Sequence, residues 1–258
     1  MELEFSSQTN DSTKNINSQG YLKHIKSIKV LKKIFNNIIQ YKYLLLIKHN
    51  KELQKKLDIN IDDYRILSQI EIEMTLSEYQ KDKFFKLYTT EDKYINIINK
   101  KDEQYYHIYI NNRKEELKTK EHMMNNYIKK VKIIIDYQVQ SLEKLFFHCQ
   151  FIESINFIRF YRNNIINMNS MFRGCSSLKK INMSNFNTKN VLYMNNMFAF
   201  CEVLEEIDLA KFDTKNVIEM NSMFNTCSAI KELNLKNFST KNVTSMAHMF
   251  GWCLNLKN

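Results

Sequence analysis

The residues of this 258-residue chain best placed for chemistry are its five cysteines, and they fall on one grid. Cys149, Cys175, Cys201, Cys227 and Cys253 are each twenty-six residues apart, and the chain has no other cysteine. Thiols stacked one above another invite a disulfide or metal reading. Against it, one thiol per period lacks the C-x-x-C spacing of zinc sites. A stacked column also cannot give tetrahedral four-thiolate geometry without distorting every layer. A free cysteine in such a slot behaves as a small buried hydrophobe. The expectation is a core ladder in which Cys175, Cys201 and Cys227 are buried, reduced and metal-free. His148 beside Cys149 offers a Cys-His pair, but its cysteine stands on the core column. The other histidines, His24, His49, His107, His122 and His248, are scattered and form no H-x-H or H-E-x-x-H motif. Gly20, Gly174 and Gly251 are the only glycines, which excludes a glycine-rich phosphate loop. No catalytic residue, metal or cofactor is expected, and the chain is read as a non-enzyme.

The elements that carry the cysteines keep the same step. Met-Phe recurs at Met171-Phe172, Met197-Phe198, Met223-Phe224 and Met249-Phe250, and Thr-Lys-Asn-Val at 188–191, 214–217 and 240–243. A fixed period in the twenties marks a solenoid, whose units bury a continuous core by stacking. The centre of each unit reads Leu178-x-x-Ile181-x-Met183, Leu204-x-x-Ile207-x-Leu209 and Ile230-x-x-Leu233-x-Leu235, with Phe186, Phe212 and Phe238 following. Ile181 and Met183 are expected to alternate inward along a short strand, with Lys180, Asn182 and Ser184 outward. The return path from Val191 to Phe198 has apolar residues at i, i+3, i+6 and i+7, which suits one short helical turn. A worn first unit has Leu145-Phe146 in the Met-Phe slot and Arg162 in the threonine slot.

With the cysteine, the Met-x-x-Met-Phe box and the Asn-Val pair, residues 145–258 resemble the BspA-like leucine-rich repeats. The resemblance implies a solenoid with a parallel strand ladder. The fold class expected is therefore α+β: an N-terminal helical segment and a small β-rich unit, then a leucine-rich-repeat solenoid, open at its C-terminal end.

Upstream, residues 6–20 are polar, and residues 1–20 are read as a disordered lead. Residues 21–66 are read as helical: Ile25, Ile28, Leu31, Phe35 and Ile38 keep helical spacing, and a second helix covers Tyr43–Ile47 onward through Leu53 and Leu57, with a break near Asn50. Val30-Leu31-Lys32-Lys33-Ile34-Phe35 followed by Leu44-Leu45 resembles an F-box. That resemblance implies that Val30, Leu31, Ile34, Phe35 and Ile38 bind a Skp1-like adaptor of a cullin ubiquitin ligase. The Leu-Pro start and the tryptophan of that family fall here on Lys26-Ser27 and Leu53. Residues 67–144 are read as a β-rich cap over the first repeat. Strands are expected at Ile70–Met74, Tyr94–Ile98, Tyr105–Ile110 and Val131–Ile135, a turn at Asn111-Asn112, and a short helix over 115–126.

Hydrophobic residues make up 44% of the chain, enough for real cores, and the net charge is +10. Between Tyr21 and Ile66, ten lysines and Arg65 face four acids. This reads as a solvated face, or as a contact for nucleic acid or an anionic membrane. The first residues show no signal-peptide pattern and no apolar run is long enough to span a membrane, so an intracellular, cytoplasmic location is expected. The outward strand positions are where a solenoid binds. They read Ser154-Asn156-Ile158, then Lys180, Asn182 and Ser184, then Glu206, Asp208 and Ala210, then Glu232, Asn234 and Lys236. A nucleic-acid reader would show a continuous basic stripe. This mixed face suits a protein partner.

Overall fold

A computed structural model describes residues 27–31, 50–77, 100–117 and 128–257. They fall into two compact units, residues 1–66 and 67–258. In the first, α1 (Lys51–Leu57) begins where the sequence broke: the Asn50 side chain caps it by accepting from the Leu53 N–H at 3.1 Å, and Asp58 ends it in a left-handed conformation. Asn60 and Asp63 then form a reciprocal cap on α2 (Ile61–Ser68), the asparagine oxygen accepting from Asp62 at 2.7 Å and the aspartate from the Asn60 N–H at 2.9 Å. The expected lead over 1–20, the strand at 94–98 and most of the helix expected over 115–126 lie outside the described residues.

In the second unit, β1 (Ile70–Leu76), β2 (Tyr106–Ile110), β3 (Lys130–Ile135), β4 (Ile152–Arg159) and β5 (Lys180–Asn182) form one sheet in the order β2-β3-β1-β4-β5. Strict alternation builds the first three strands. Ile70, Ile72, Met74 and Leu76 are buried, as are Val131, Ile133 and Ile135, and the residues between them face out. Asn111 and Asn112 both have positive φ at the end of β2, and the Asn111 side chain accepts from the Lys129 and Lys130 N–H groups. The first coil's strand, β4, has its edge closed by antiparallel pairing with β1.

The expected leucine-rich-repeat solenoid with a parallel strand ladder does not form. The regular sheet is small, open and mixed: three of its four pairings are antiparallel, and the one parallel pairing, β4 with β5, spans three residues. Residues 206–210 and 232–236 form no strand. Asn182, Asp208 and Asn234 accept from the N–H two residues on, at Ser184 (3.0 Å), Ala210 (2.8 Å) and Lys236 (3.2 Å), so in all three layers an Asx turn bends the chain right after this position and keeps the extended segment short.

Successive twenty-six-residue layers are instead bonded along the Met-x-x-Met-Phe segment. Met168, Ser170, Phe172 and Gly174 donate their N–H groups to the carbonyls of Tyr193, Asn195, Met197 and Ala199 at 2.8–2.9 Å. Isolated parallel bridges run Ser141–Asn167–Tyr193–Glu219–Ser245. The intervening N–H groups turn back within their own layer, Met171 to Met168 and Arg173 to Ser170. The segment expected to be helical is therefore a run of turns. Each run contains two left-handed residues, as at Asn196 (φ 56) and Phe200 (φ 62), and this aims alternate N–H groups at the next layer.

Phenylalanines stack in two columns, buried except in the last layers, where Phe238 is half-buried and Phe250 exposed. Phe146, Phe172, Phe198, Phe224 and Phe250 stack with centroids 5.1–6.0 Å apart and nearly parallel rings. Phe186, Phe212 and Phe238 form the second, at 5.4 and 6.2 Å.

Candidate functional site

The recurrent polar residues are spent on holding layers together. Thr188, fully buried, donates its hydroxyl to the Asp213 carbonyl (3.0 Å) and accepts from the Asp213 N–H (2.8 Å). Thr214 does the same with Ser239, at 3.1 and 2.6 Å. Asn216 and Asn242 each donate to the carbonyl of the lysine one layer back, Lys189 and Lys215, at 2.7 and 2.6 Å. Asn169, Asn195 and Asn221 accept in turn from the backbone of Asn195, Asn221 and Ala247 at 2.7–2.8 Å.

The cysteines belong to the same system. Cys175, Cys201 and Cys227 are buried free thiols, and each S–H donates to the phenylalanine carbonyl of the preceding layer: Phe146, Phe172 and Phe198, at 3.1–3.2 Å. Burial first, and the neighbouring thiols second, push Cys175 and Cys201 well above the usual thiol range, and Cys227 up to about 12. Such thiols carry almost no thiolate at neutral pH, the form that attacks and that binds metals.

One polar cluster lies outside the layers. His107 contacts Glu116 through Nδ1 (3.0 Å) and Asp136 through Nε2 (3.3 Å), and Gln69 donates to the other oxygen of Asp136 at 2.8 Å. Burial of the ring works against its proton, but the bonds to Asp136 and Glu116 together outweigh that and raise its pKa. The two carboxylates sit on opposite ring nitrogens, so the trio cannot converge on one ion. Among the described residues no group of three or more His, Cys, Asp or Glu side chains is arranged to hold a metal. Arg162, in the threonine slot of the first layer, is buried and donates to the Asp136 backbone carbonyl; desolvation lowers its pKa to about 10.

The outward positions form a different surface. Lys180, Asn182, Ser184, Glu206, Asp208, Ala210, Glu232, Asn234 and Lys236 are all exposed, while Ile181, Met183, Ile207 and Leu209 between them are buried. Register carries this face across the sheet. Lys180 pairs with Ser154, which pairs with Thr75, which pairs with Lys130. Asn182 likewise leads through Asn156 and Glu73 to Lys132 and Tyr109. The two hydroxyls Thr75 and Ser154 are in hydrogen-bond contact at 2.5 Å. Sequence reasoning missed this extension through β1 and β3. Its signal was the polar half of their alternation, at Glu71, Glu73, Thr75, Lys130 and Lys132.

Of the residues the F-box resemblance singles out, Val30 is half exposed and Leu31 buried, and Ile34, Phe35 and Ile38 lie outside the described residues. In the lysine-rich stretch, Lys29, Lys51 and Lys55 are exposed and Lys56 pairs with Glu52 at 2.7 Å. Among the described residues no helix is long and apolar enough to cross a membrane.

A family described as "Mycoplasma protein of unknown function, DUF285" matches residues 140–258. The match begins just before β4 and takes in every turn-rich layer. No curated protein and no solved structure matches the chain.

Proposed function

We propose that this chain is a non-catalytic interaction module that holds a protein partner on the exposed face running through Lys180, Asn182, Ser184, Glu206, Asp208, Ala210, Glu232, Asn234 and Lys236. The observation that carries this reading is a contrast between two neighbouring columns. In one, Glu153 pairs with Lys179 (2.6 Å) and Glu205 with Lys231 (3.5 Å), so charges alternate between layers and satisfy each other. In the next, Lys180, Glu206 and Glu232 make no ion pair among the described residues, and two like charges follow one another a layer apart. Like charges on adjacent positions cost a little stability. The stack gives no reason for that column; recognition of a complementary surface does.

The resemblance to BspA-like repeats supports the same reading, as does the chemistry of the buried thiols, which are protonated and bonded to carbonyls. The test is a photo-cross-linking residue at Ala210, used to recover a partner. That partner is then titrated against wild type and the Glu206→Lys, Asp208→Lys, Glu232→Lys variant. Loss of binding with an unchanged unfolding midpoint is expected. Undiminished binding by the folded variant refutes the assignment of this face.

A further inference from the structure

At the β3 end of this face the sheet is hollowed. A cavity of about 610 Å³ opens over β1, β3 and the end of β2. Among the described residues its charged lining is Arg113, Lys114, Lys130 and Lys132 against the single carboxylate Glu73, and Tyr109 supplies the only aromatic ring. Lys132 lies 5.2 Å from the centre of the Tyr109 ring and 3.5 Å from Glu71. Arg113, Lys114 and Lys130 are exposed and make no ion pair among the described residues. Three unneutralised cations around one concave site repel each other, and concavity strengthens the field they share.

We infer that this hollow binds an acidic peptide segment, a run of glutamate or aspartate in the partner held on the proposed face. Charge complementarity fixes the sign of the ligand. What separates a peptide from a nucleic acid is the continuation of the surface. From Lys132 the register runs over β1 and β4 to Asn182 of β5, three steps of about 4.8 Å or roughly 14 Å, and the layer of Glu206 and Asp208 comes next in the stack without a strand pairing. A phosphate backbone carries charge without interruption and would meet Glu206, Asp208 and Glu232 within a few nucleotides. A peptide changes sign along its length: about four extended residues at roughly 3.3 Å each cover those three steps, so acidic residues in the hollow are compatible with basic ones over Glu206. The chain's hollow and its acidic layer then read as two ends of one recognition surface. The inference rests on the proposed function only in sharing its face.

The experiment uses the full chain, fluorescein-labelled octaglutamate and labelled octauridylate, read by polarisation at about 50 mM and about 300 mM salt, across which screening between exposed charges changes severalfold. Octaglutamate is expected to bind at low salt and to weaken about tenfold at high salt. Arg113→Glu with Lys130→Glu should weaken it at least about tenfold without moving the unfolding midpoint. No binding at low salt overturns the proposal. So does binding that the double variant keeps, which would place it elsewhere on this basic chain, or tighter binding of octauridylate that the variant loses. Octaglutamate binding through the hollow alongside partner capture that survives charge reversal at Glu206, Asp208 and Glu232 would sink the proposed function and leave this inference standing. The converse result would sink this one alone.

Discussion

Thr188→Val is nearly isosteric, so a packing account expects it to be harmless. The structure expects the reverse. The Thr188 hydroxyl both donates to and accepts from the backbone of Asp213, at 3.0 and 2.8 Å, in a fully buried site. Valine removes both bonds and leaves the Asp213 N–H and carbonyl facing a methyl group. Two lost hydrogen bonds cost about 2 kcal/mol, and stranding the buried backbone groups raises the total to about 2–4 kcal/mol. Thr188→Ser keeps the hydroxyl and loses one methyl group, about 1 kcal/mol. At a second position, Thr214→Val should behave like Thr188→Val, because the contacts to Ser239 repeat at 3.1 and 2.6 Å. Thr240, in the same slot of the last complete motif, is exposed, so Thr240→Val should fall within about 0.5 kcal/mol of wild type. The assay is urea unfolding followed by circular dichroism, with the thermal midpoint as a check; about 3 kcal/mol corresponds to about 6–12 °C in a chain of this size. If Thr188→Val is no more destabilising than Thr188→Ser, the threonines are packing residues and the account of inter-layer bonding fails.

Other perturbations follow from the same geometry. Native thiol labelling should reach Cys253, which is partly exposed, well before Cys175, Cys201 and Cys227, which should react only on unfolding; Cys201→Ala should cost about 1 kcal/mol. Rapid labelling of the three buried thiols in the folded state would contradict their burial. For His107 the folded pKa is raised above 6.5, so its contribution to stability is fully present below that value and is lost as pH rises through the folded pKa. The urea midpoint of wild type should therefore fall over that window, and His107→Gln should flatten the slope; an unchanged slope would remove the histidine–carboxylate account. Glu232→Lys places a cation one layer from Glu206, as Lys231 stands to Glu205, and should be neutral or stabilising by up to about 0.5 kcal/mol. A loss of more than about 1 kcal/mol would show that this column serves the stack after all.

Much of the unit after residue 67 was legible because its signals are periodic. Alternation gave β1, a Tyr- and Ile-rich run gave β2, a continuous apolar run gave β3, and phase gave the buried columns of cysteine, methionine and phenylalanine. The parallel ladder was misplaced for a physical reason. An L-x-x-L-x-L pattern reports which side chains turn inward, and Ile181, Met183, Ile207 and Leu209 do. It does not report where backbone hydrogen bonds run. Those run between the turn segments, where left-handed residues such as Asn196 and Phe200 aim them, and no apolar periodicity encodes such φ angles; the Asx turns at 182, 208 and 234 shorten the inward segment. The chemistry of the threonines was hidden likewise, because a hydroxyl that bonds a neighbouring layer and one that faces water look the same in a motif.

The molecule's residues sort by use. Where a column repeats one residue type, as Thr188 and Thr214, Asn195 and Asn221, or Cys175, Cys201 and Cys227 do, the structure finds a bond that every layer must make. Repetition there is explained by stacking and leaves nothing over for a ligand. Where a column alternates Glu153, Lys179, Glu205 and Lys231, pairing between layers explains it too. The charged positions that no inter-layer pairing explains are Lys180, Glu206 and Glu232, with Asp208, and at the sheet end Arg113, Lys114 and Lys130. Every one of these seven is exposed; register joins Lys130 to Lys180 across three strand-to-strand steps, and the layers of Glu206 and Glu232 follow beyond β5, so the surface changes from basic at the sheet end to acidic in the layers. A stack gains nothing from such a gradient, and a partner whose charge runs the opposite way gains affinity, register and a direction of approach.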